Sequence, residues 1–160
     1  AHMSIGNILL DKGQYEEAIH EYKETIRINP DYDEAYVNMG SAHAKHYRFE
    51  EAKQCYQKAL SINPNQARAW LHYGLLQHKK GNLKEARRLL QRATEIEPAN
   101  ALAHYNLGVL NDLYLQRIDT ALQHYERYQQ LAGEDQQVSK WIADLKRRIS
   151  ASQRTANVTE

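Results

Sequence analysis

The sequence predicts an all-α solenoid built from stacked helix–turn–helix repeats, because three residue types recur at one shared interval. The glycines that define the interval lie 34 residues apart, at Gly6, Gly40, Gly74 and Gly108. The three prolines keep the same interval, at Pro30, Pro64 and Pro98. Alanines keep it at Ala18, Ala52 and Ala86, and then at Ala121 after one extra residue. A fixed period of this length is the signature of repeat architectures, and chance would not hold three residue types in phase.

Each repeat is interpreted as helix A, a tight turn, helix B and a turn marked by proline. Gly40 and Ala52 are small, so we expect helices A and B of the second repeat to cross closely there. A large residue follows each alanine after four positions, and we expect Tyr56 to fill space between neighbouring repeats. Pro64 has no amide hydrogen and cannot continue a helix. The preceding Asn63 is therefore expected to leave helical geometry.

This pattern resembles the tetratricopeptide repeat (TPR) family, most clearly in the third copy, which carries Trp70, Tyr73, Gly74, Gly81, Ala86, Ala93 and Pro98. The resemblance implies a right-handed α–α solenoid of four repeats in which helix A of each repeat lines the concave side. The predicted repeats span about residues 4–32, 33–66, 67–100 and 101–134. The fourth copy departs from the pattern, because it has Gly133 where the others have proline.

Both ends of the chain are predicted to lie outside the repeats. Residues 135–149 place their apolar side chains on one helical face, as a terminal capping helix requires; these are Val138, Trp141, Ile142, Leu145 and Ile149. The pattern stops after this helix, so residues 150–160 are predicted to be a disordered tail. Ala1, His2 and Met3 look like a cloning scar and are left out of the fold prediction.

The resemblance also implies a groove that binds a peptide segment of a partner protein. The predicted groove residues are Asn7, Asn38, Lys45, Arg68, Leu71, His72, Leu75, His78, Lys79, Tyr105 and Asn106. The centre of this set is basic, which suits an acidic or C-terminal segment with apolar side chains. We expect His72 and His78 to gain charge below about pH 6.5, which would strengthen binding of an acidic peptide.

Two ligand-binding patterns of the family are partly matched. One subtype holds a C-terminal carboxylate with Lys, Asn, Asn, Lys and Arg; Asn7, Asn38 and Arg68 agree with it in kind. Met3 and His72 stand where that subtype has a lysine and an arginine, which weakens the case for a chaperone co-factor. In another pattern, one asparagine per repeat bonds the peptide backbone. Asn38 and Asn106 occupy equivalent positions, and the alternative is that they face water.

The leading functional prediction is a protein–protein interaction module, an adaptor or scaffold without enzymatic activity. One alternative is a structural scaffold that self-associates through the N-terminal end, where Ile5, Ile8 and Leu9 form an apolar surface. Another is a regulatory or targeting fragment of a larger protein. No cofactor or metal is predicted, since His43 and His46 lack a completing cysteine or carboxylate. The isolated glycines also form no phosphate-binding loop.

Composition narrows the partner class. The chain has 160 residues, and 21 lysines and arginines nearly balance 20 aspartates and glutamates, a net charge of +1 that gives no argument for nucleic acid. The sequence contains no apolar run of membrane-spanning length, so membrane insertion is not expected. Cys55 is the only cysteine and has no partner for an internal disulfide. This slightly favours the cytoplasm, although the localisation stays open.

Overall fold

The computed structural model describes residues 1–159, and in this range it contains nine α-helices, one π-helical turn and no β-strand. The predicted all-α fold is confirmed. In chain order the helices are α1 His2–Asp11, α2 Tyr15–Ile28, α3 Asp33–Lys45, α4 Phe49–Ile62, α5 Ala67–Lys79, α6 Leu83–Ile96, α7 Ala101–Val109, α8 Ile118–Ala132 and α9 Gln136–Thr159. Odd-numbered helices up to α7 are the A helices, and even-numbered helices are the B helices. No helix in the described range is long and apolar enough to cross a membrane.

The chain divides into two compact units, which are described separately. The first unit is Ala1–Arg92, and the second begins at Ala93. In the first unit α1 packs on α2 and α3 packs on α4, while α2 and α4 each also contact the A helix that follows. The A helices α1, α3 and α5 contact one another in turn. This arrangement brings side chains of three successive A helices onto one surface.

Glycines permit the close helix crossings that the sequence predicts. A Cβ atom on Gly40 would lie 2.7 Å from a ring carbon of Tyr56, and one on Gly74 would lie 2.8 Å from Cγ of Leu90. Tyr56 is buried and its ring also stacks on Tyr73 of the next repeat, with centroids 6.3 Å apart. One side chain therefore fills space both within its repeat and between repeats, as expected.

The turn between helices A and B contains one residue in the left-handed region. Glycine takes this conformation at Gly13 (φ 77°) and Gly81 (φ 83°). Tyr47 (φ 60°) and Gln116 (φ 53°) take it with a side chain. Such a φ is uncommon for residues other than glycine because Cβ crowds the backbone.

The turn between repeats is anchored by side chains. Asn63, which precedes Pro64, is extended (φ −136°, ψ 93°), as its position before a proline predicts. The amides of Asn63 and Gln66 each donate a hydrogen bond of 3.0 Å to one carboxylate oxygen of Asp33 at the start of α3. These bonds join the end of the second repeat to its beginning.

In the second unit, the extra residue of the fourth repeat forms a π-helical turn. Helix α7 continues into this turn, Leu110–Tyr114, where the Leu115 amide donates to the Leu110 carbonyl at 3.0 Å. A π-helical turn holds one more residue than an α-helical turn. It therefore accommodates the 35-residue spacing before Ala121 without moving the contact between Gly108 and Tyr125, where a Cβ would lie 2.5 Å from the ring.

Helix α9 packs against α8 and extends further than the predicted capping helix. Val138, Ile142 and Leu145 are buried in a cluster with Tyr125. The predicted disordered tail is wrong as far as Thr159, because the helix continues to that residue. No glycine or proline follows Gly133 to break it, although residues 150–158 are exposed. Glu160 lies outside the described residues.

The N-terminal residues left out of the fold prediction also take part in the structure. Helix α1 begins at His2, and Met3 is partly buried against the apolar cluster that contains Tyr22. The physical reason is continuity, since nothing in Ala1–Ser4 interrupts the helix of the first repeat.

Candidate functional site

Three of the predicted groove residues form a chain of hydrogen bonds across the A helices of the first unit. Asn38 on α3 donates from Nδ2 to Oδ1 of Asn7 on α1, at 3.0 Å. Arg68 on α5 donates from Nη2 to Oδ1 of Asn38, at 2.8 Å. The hydroxyl of Tyr22 also donates to Oδ1 of Asn7, at 2.8 Å. This Asn7–Asn38–Arg68 chain is the polar floor of the site.

A pocket of about 320 Å³ adjoins this polar chain. Six of the predicted groove residues line it, namely Asn38, Lys45, Arg68, His72, Leu75 and Lys79. Its apolar wall consists mainly of Leu10, Phe49, Leu75 and Leu76. A neighbouring depression shares Leu10, Asn38 and Arg68 with the pocket and is also lined by Asn7. The structure therefore brings seven of the eleven predicted groove residues together on one surface.

The pocket is cationic. Lys45, Arg68 and Lys79 line it, and its lining includes no carboxylate. None of these three cations forms an ion pair with any carboxylate in the described part of the chain. The Lys79 ammonium instead lies 5.1 Å from the ring centroid of Tyr47 and 5.4 Å from that of Phe49. The pocket itself therefore contains no carboxylate, and the two that line a depression with Arg68, Asp11 and Glu34, belong to the neighbouring depression.

The pKa values of His72 and His78 are lower than the sequence analysis expects. The His72 ring stacks on Tyr56, with centroids 6.3 Å apart and planes 17° apart. Burial, helped by the charges of Arg68 and Lys45, lowers the pKa of His72 to about 4. Burial also lowers the pKa of His78, which does not line the pocket. The expectation that these rings gain charge just below pH 6.5 is therefore wrong, because a charged imidazole is poorly solvated there.

Leu71 is buried rather than exposed at the groove, with 6% of its surface accessible. Its equivalent one repeat earlier, Val37, is fully buried. This position of helix A is therefore buried in the contacts between helices, although it is adjacent in sequence to the pocket residue His72. The two positions differ by about 100° around the helix, which separates core from groove.

Tyr105 and Asn106 belong to the second unit and make local contacts. The Tyr105 ring packs against Tyr128 and Trp141, with centroids 5.2 and 6.2 Å apart. The Asn106 amide donates to the Leu102 carbonyl one helical turn earlier, at 2.9 Å. Tyr105 is therefore a packing residue, and the predicted equivalence of Asn38 and Asn106 does not extend to their hydrogen bonds.

Six lining residues are absent from the predicted set. Four of them lie on A helices, namely Leu10, Ser41, Ala44 and Leu76, and the other two, Phe49 and Tyr56, lie on α4, where helix A positions could not indicate them. Phe49 is the only phenylalanine in the chain and stands where the first repeat has Tyr15 and the third has Leu83. The large residue at the start of each helix B is the sequence feature that could have identified Phe49 as a pocket residue. It becomes informative once helix B is known to approach the pocket at its N-terminal end.

The chemistry of a metal site or of a reactive thiol is not assembled here. Among residues 1–159, no group of three or more His, Cys, Asp or Glu side chains is placed to hold a metal ion. Burial raises the pKa of the Cys55 thiol to about 12, so it is protonated at neutral pH. A protonated, buried thiol is a poor nucleophile.

Comparisons with known proteins agree with the repeat architecture. A family model described as "TPR repeat" matches residues 6–46, and one described as "Tetratricopeptide repeat" matches residues 43–108. A comparison with curated proteins gives no significant sequence match.

Solved structures of TPR proteins have the same fold. A crystal structure of MamA protein is 21% identical and has a TM-score of 0.79, over 98% of this chain and 85% of that one. The pilF protein of Pseudomonas aeruginosa is 23% identical and has a TM-score of 0.82, over 96% and 71% of the two chains.

One similar structure includes a peptide. It is the first TPR of Spaghetti (RPAP3) bound to the HSP90 peptide SRMEEVD. It is 25% identical and has a TM-score of 0.66, over 69% of this chain and 88% of that one. The sequence period, the helix pairs, the family models and these structures lead to one conclusion. The chain belongs to the tetratricopeptide repeat family, whose members are generally protein–protein interaction modules.

Proposed function

We propose that this protein is an adaptor or scaffold that binds an acidic peptide segment of a partner protein in the groove of its first unit. The observation that carries the proposal is the charge of the pocket. Lys45, Arg68 and Lys79 line it without a carboxylate to balance them. Carboxylates of a bound segment would supply the missing negative charge, and complementary charge also speeds association.

The polar chain adds hydrogen-bonding capacity for a peptide. Arg68 uses one of its five guanidinium N–H donors on Asn38, so donors remain for a carboxylate. The Asn38 amide has a second hydrogen and a second lone pair beyond its bonds to Asn7 and Arg68. These groups suit a carboxylate beside an extended backbone, including a C-terminal carboxylate.

The apolar wall suits an aliphatic side chain of the same segment. Leu10, Phe49 and Leu75 lie beside the cations in one pocket. Ligand sites typically combine such walls with a few polar groups that fix orientation. The peptide bound by the RPAP3 domain, SRMEEVD, has this composition, with two glutamates, a valine and a terminal aspartate. That similarity supports the ligand class and does not identify the partner.

A titration tests the proposal. We expect fluorescein-labelled SRMEEVD to bind with a Kd on the order of micromolar, equivalent to about −8 kcal/mol. The peptide SRMQQVN with an amidated C-terminus, which keeps the arginine but has no carboxylate, should bind far more weakly. Affinity for the acidic peptide should fall as salt rises, because screening shortens the range of the exposed charges.

Paired charge reversals provide the matched control. Arg68→Glu with Lys79→Glu should abolish binding and keep the helical circular dichroism signal. Lys84→Glu with Arg88→Glu changes the same number of charges on α6, outside the pocket lining, and should have little effect. Equal binding by the Arg68/Lys79 variant, with a loss in the Lys84/Arg88 variant, would contradict the proposed groove.

A self-associating scaffold is the second candidate. Ile5 and Ile8 on α1 are 45% and 54% exposed, which gives the N-terminal end an apolar surface. Light scattering separates the two candidates, since a monomer across the micromolar range contradicts self-association. No reaction is proposed for the chain, because members of this family are generally not enzymes.

A further inference from the structure

Tyr47 occupies a backbone conformation that the first and third repeats give to glycine. Its φ is 60°, and the equivalent residues are Gly13 and Gly81. The side chain is also 75% exposed, so burial does not compensate for the conformation. A strained, exposed aromatic residue in a turn points to a role in binding, since strain of this kind concentrates at functional sites.

The contacts of Tyr47 connect it to the pocket. Its ring packs edge-on against Phe49, with centroids 6.2 Å apart and planes at 75°. The Lys79 ammonium lies over both rings, 5.1 Å from Tyr47 and 5.4 Å from Phe49. Phe49 and Lys79 line the pocket, so the Tyr47 ring extends its wall to the rim.

A lysine ammonium that lies over an aromatic ring differs in charge balance from one that is paired with a carboxylate. The negative face of the ring attracts the ammonium and limits its motion, yet the full positive charge remains. A carboxylate in the same place would neutralise that charge. Lys79 therefore has a defined position and an unbalanced charge, which are the two properties that recognition of an acidic side chain requires.

We propose that Tyr47 is a positioning residue that, together with Phe49, holds Lys79 at the rim of the pocket to bind an acidic side chain of the peptide. The inference rests on the proposed function and adds a specificity determinant to it. It also assigns the ligand two negatively charged contacts, one at Lys79 and one at Arg68 beside the Asn38 amide. A segment with a single carboxylate would use only one of them.

The first test needs no ligand. In the free protein, the side-chain methylene proton resonances of Lys79 should be shifted upfield by the ring currents of Tyr47 and Phe49. Tyr47→Gly should reduce this shift to the part that Phe49 causes, and Tyr47→Phe should keep it. Gln116→Gly is the matched control, because it relieves the same backbone conformation in a turn of the second unit. Lys79 resonances that do not respond to Tyr47→Gly would overturn the inference.

The second test measures binding of the labelled SRMEEVD peptide. Tyr47→Gly should lower affinity about two- to fivefold, the loss expected for an exposed cation–π contact. Its dependence on salt should become shallower, although its melting temperature should not fall. Tyr47→Phe and Gln116→Gly should bind like the parent chain. In a chain that already carries Lys79→Met, Tyr47→Gly should cause no further loss.

The outcomes separate the two proposals. If the parent chain binds the peptide and Tyr47→Gly weakens it equally with and without Lys79, the positioning role is wrong and the proposed function stands. If the parent chain does not bind the acidic peptide, the proposed function fails, and with it the ligand assigned to Lys79.

Discussion

Asn38 and Arg68, from consecutive A helices, are joined by a hydrogen bond of 2.8 Å between an amide oxygen and a guanidinium nitrogen. The amide belongs to a side chain only 6% exposed, and its nitrogen donates in turn to Asn7. A buried amide without partners costs free energy, whereas a bond from a charged donor is among the stronger ones. The repeats are therefore connected by specific polar contacts as well as by apolar packing.

Replacing Asn38 tests this connection. Asn38→Ala should lower the free energy of unfolding by about 1–3 kcal/mol, because it removes two hydrogen bonds from a buried position. Asn106→Ala is the matched control at the equivalent position in the second unit, where the amide bonds only to its own helix. The control should change stability by less than about 0.5 kcal/mol. Equal effects in urea denaturation would refute a specific role for the Asn7–Asn38–Arg68 chain.

The close crossing at Gly74 should not tolerate a side chain. A Cβ there would lie 2.8 Å from Cγ of the fully buried Leu90, so Gly74→Ala should destabilise by about 1–3 kcal/mol through overpacking. Combining it with Leu90→Ala provides the control, because the smaller residue makes room for the added methyl group. The double variant should lose less than the sum of the single losses, and strict additivity in thermal melts would argue against the contact.

Substitutions at the two ends of helix α9 should differ strongly in their effect on stability. Leu145 is fully buried, so Leu145→Ala should lower the free energy of unfolding by about 2–5 kcal/mol. Val158 lies on the same helix and is 85% exposed, so Val158→Ala should have no measurable effect. Hydrogen exchange of α9 would detect a loss confined to local opening. A capping role is excluded if the two variants are equally stable.

His72 should make the fold sensitive to acid. Its pKa is about 4 in the folded chain and ordinarily about 6.5, so the unfolded chain takes up the proton first as pH falls. The stability that His72 contributes is therefore complete above about pH 6.5 and declines toward pH 4. His72→Gln should flatten this decline in melting temperature. An unchanged slope in His72→Gln would show that other groups cause the decline.

The low pKa of His72 also changes the pH dependence expected for peptide binding. His72 stays uncharged between pH 8 and pH 6, so acidification over that range should not strengthen peptide binding through this ring. Lys45, Arg68 and Lys79 supply the charge of the pocket instead. A salt titration is therefore a better probe of the groove than a pH titration.

The sequence alone predicts the helix pairs well, because their determinants are local and periodic. Gly40 and Ala52 mark a crossing, and Pro64 marks an end, whatever the rest of the chain does. The disordered tail was wrongly predicted because the end of an apolar stripe was taken as the end of the helix. Burial stops near Ile149, but no glycine or proline follows it, and the helix continues.

The site was less predictable, because it depends on which side chains approach from other helices. Arg68, Asn38 and Asn7 could be placed on one surface from their repeat positions. The lowered pKa of His72 follows from its burial and from the charges of Arg68 and Lys45, and burial by other helices is not encoded in a local pattern. Leu71 could have been excluded from the groove by comparison with Val37, which occupies the equivalent position and is strongly apolar.

The hydrogen-bond chain has a consequence for anyone who rearranges these repeats. A first repeat without an acceptor at position 7 would leave the Asn38 amide hydrogen unpaired, and a third repeat without Arg68 would remove the charged donor from its oxygen. The smallest segment that can be transplanted with this hydrogen-bond chain intact is therefore the trio of helices α1, α3 and α5 with the helices between them. Swapping a single 34-residue unit would conserve the backbone and break these hydrogen bonds, so chimaeras should be cut outside residues 2–79.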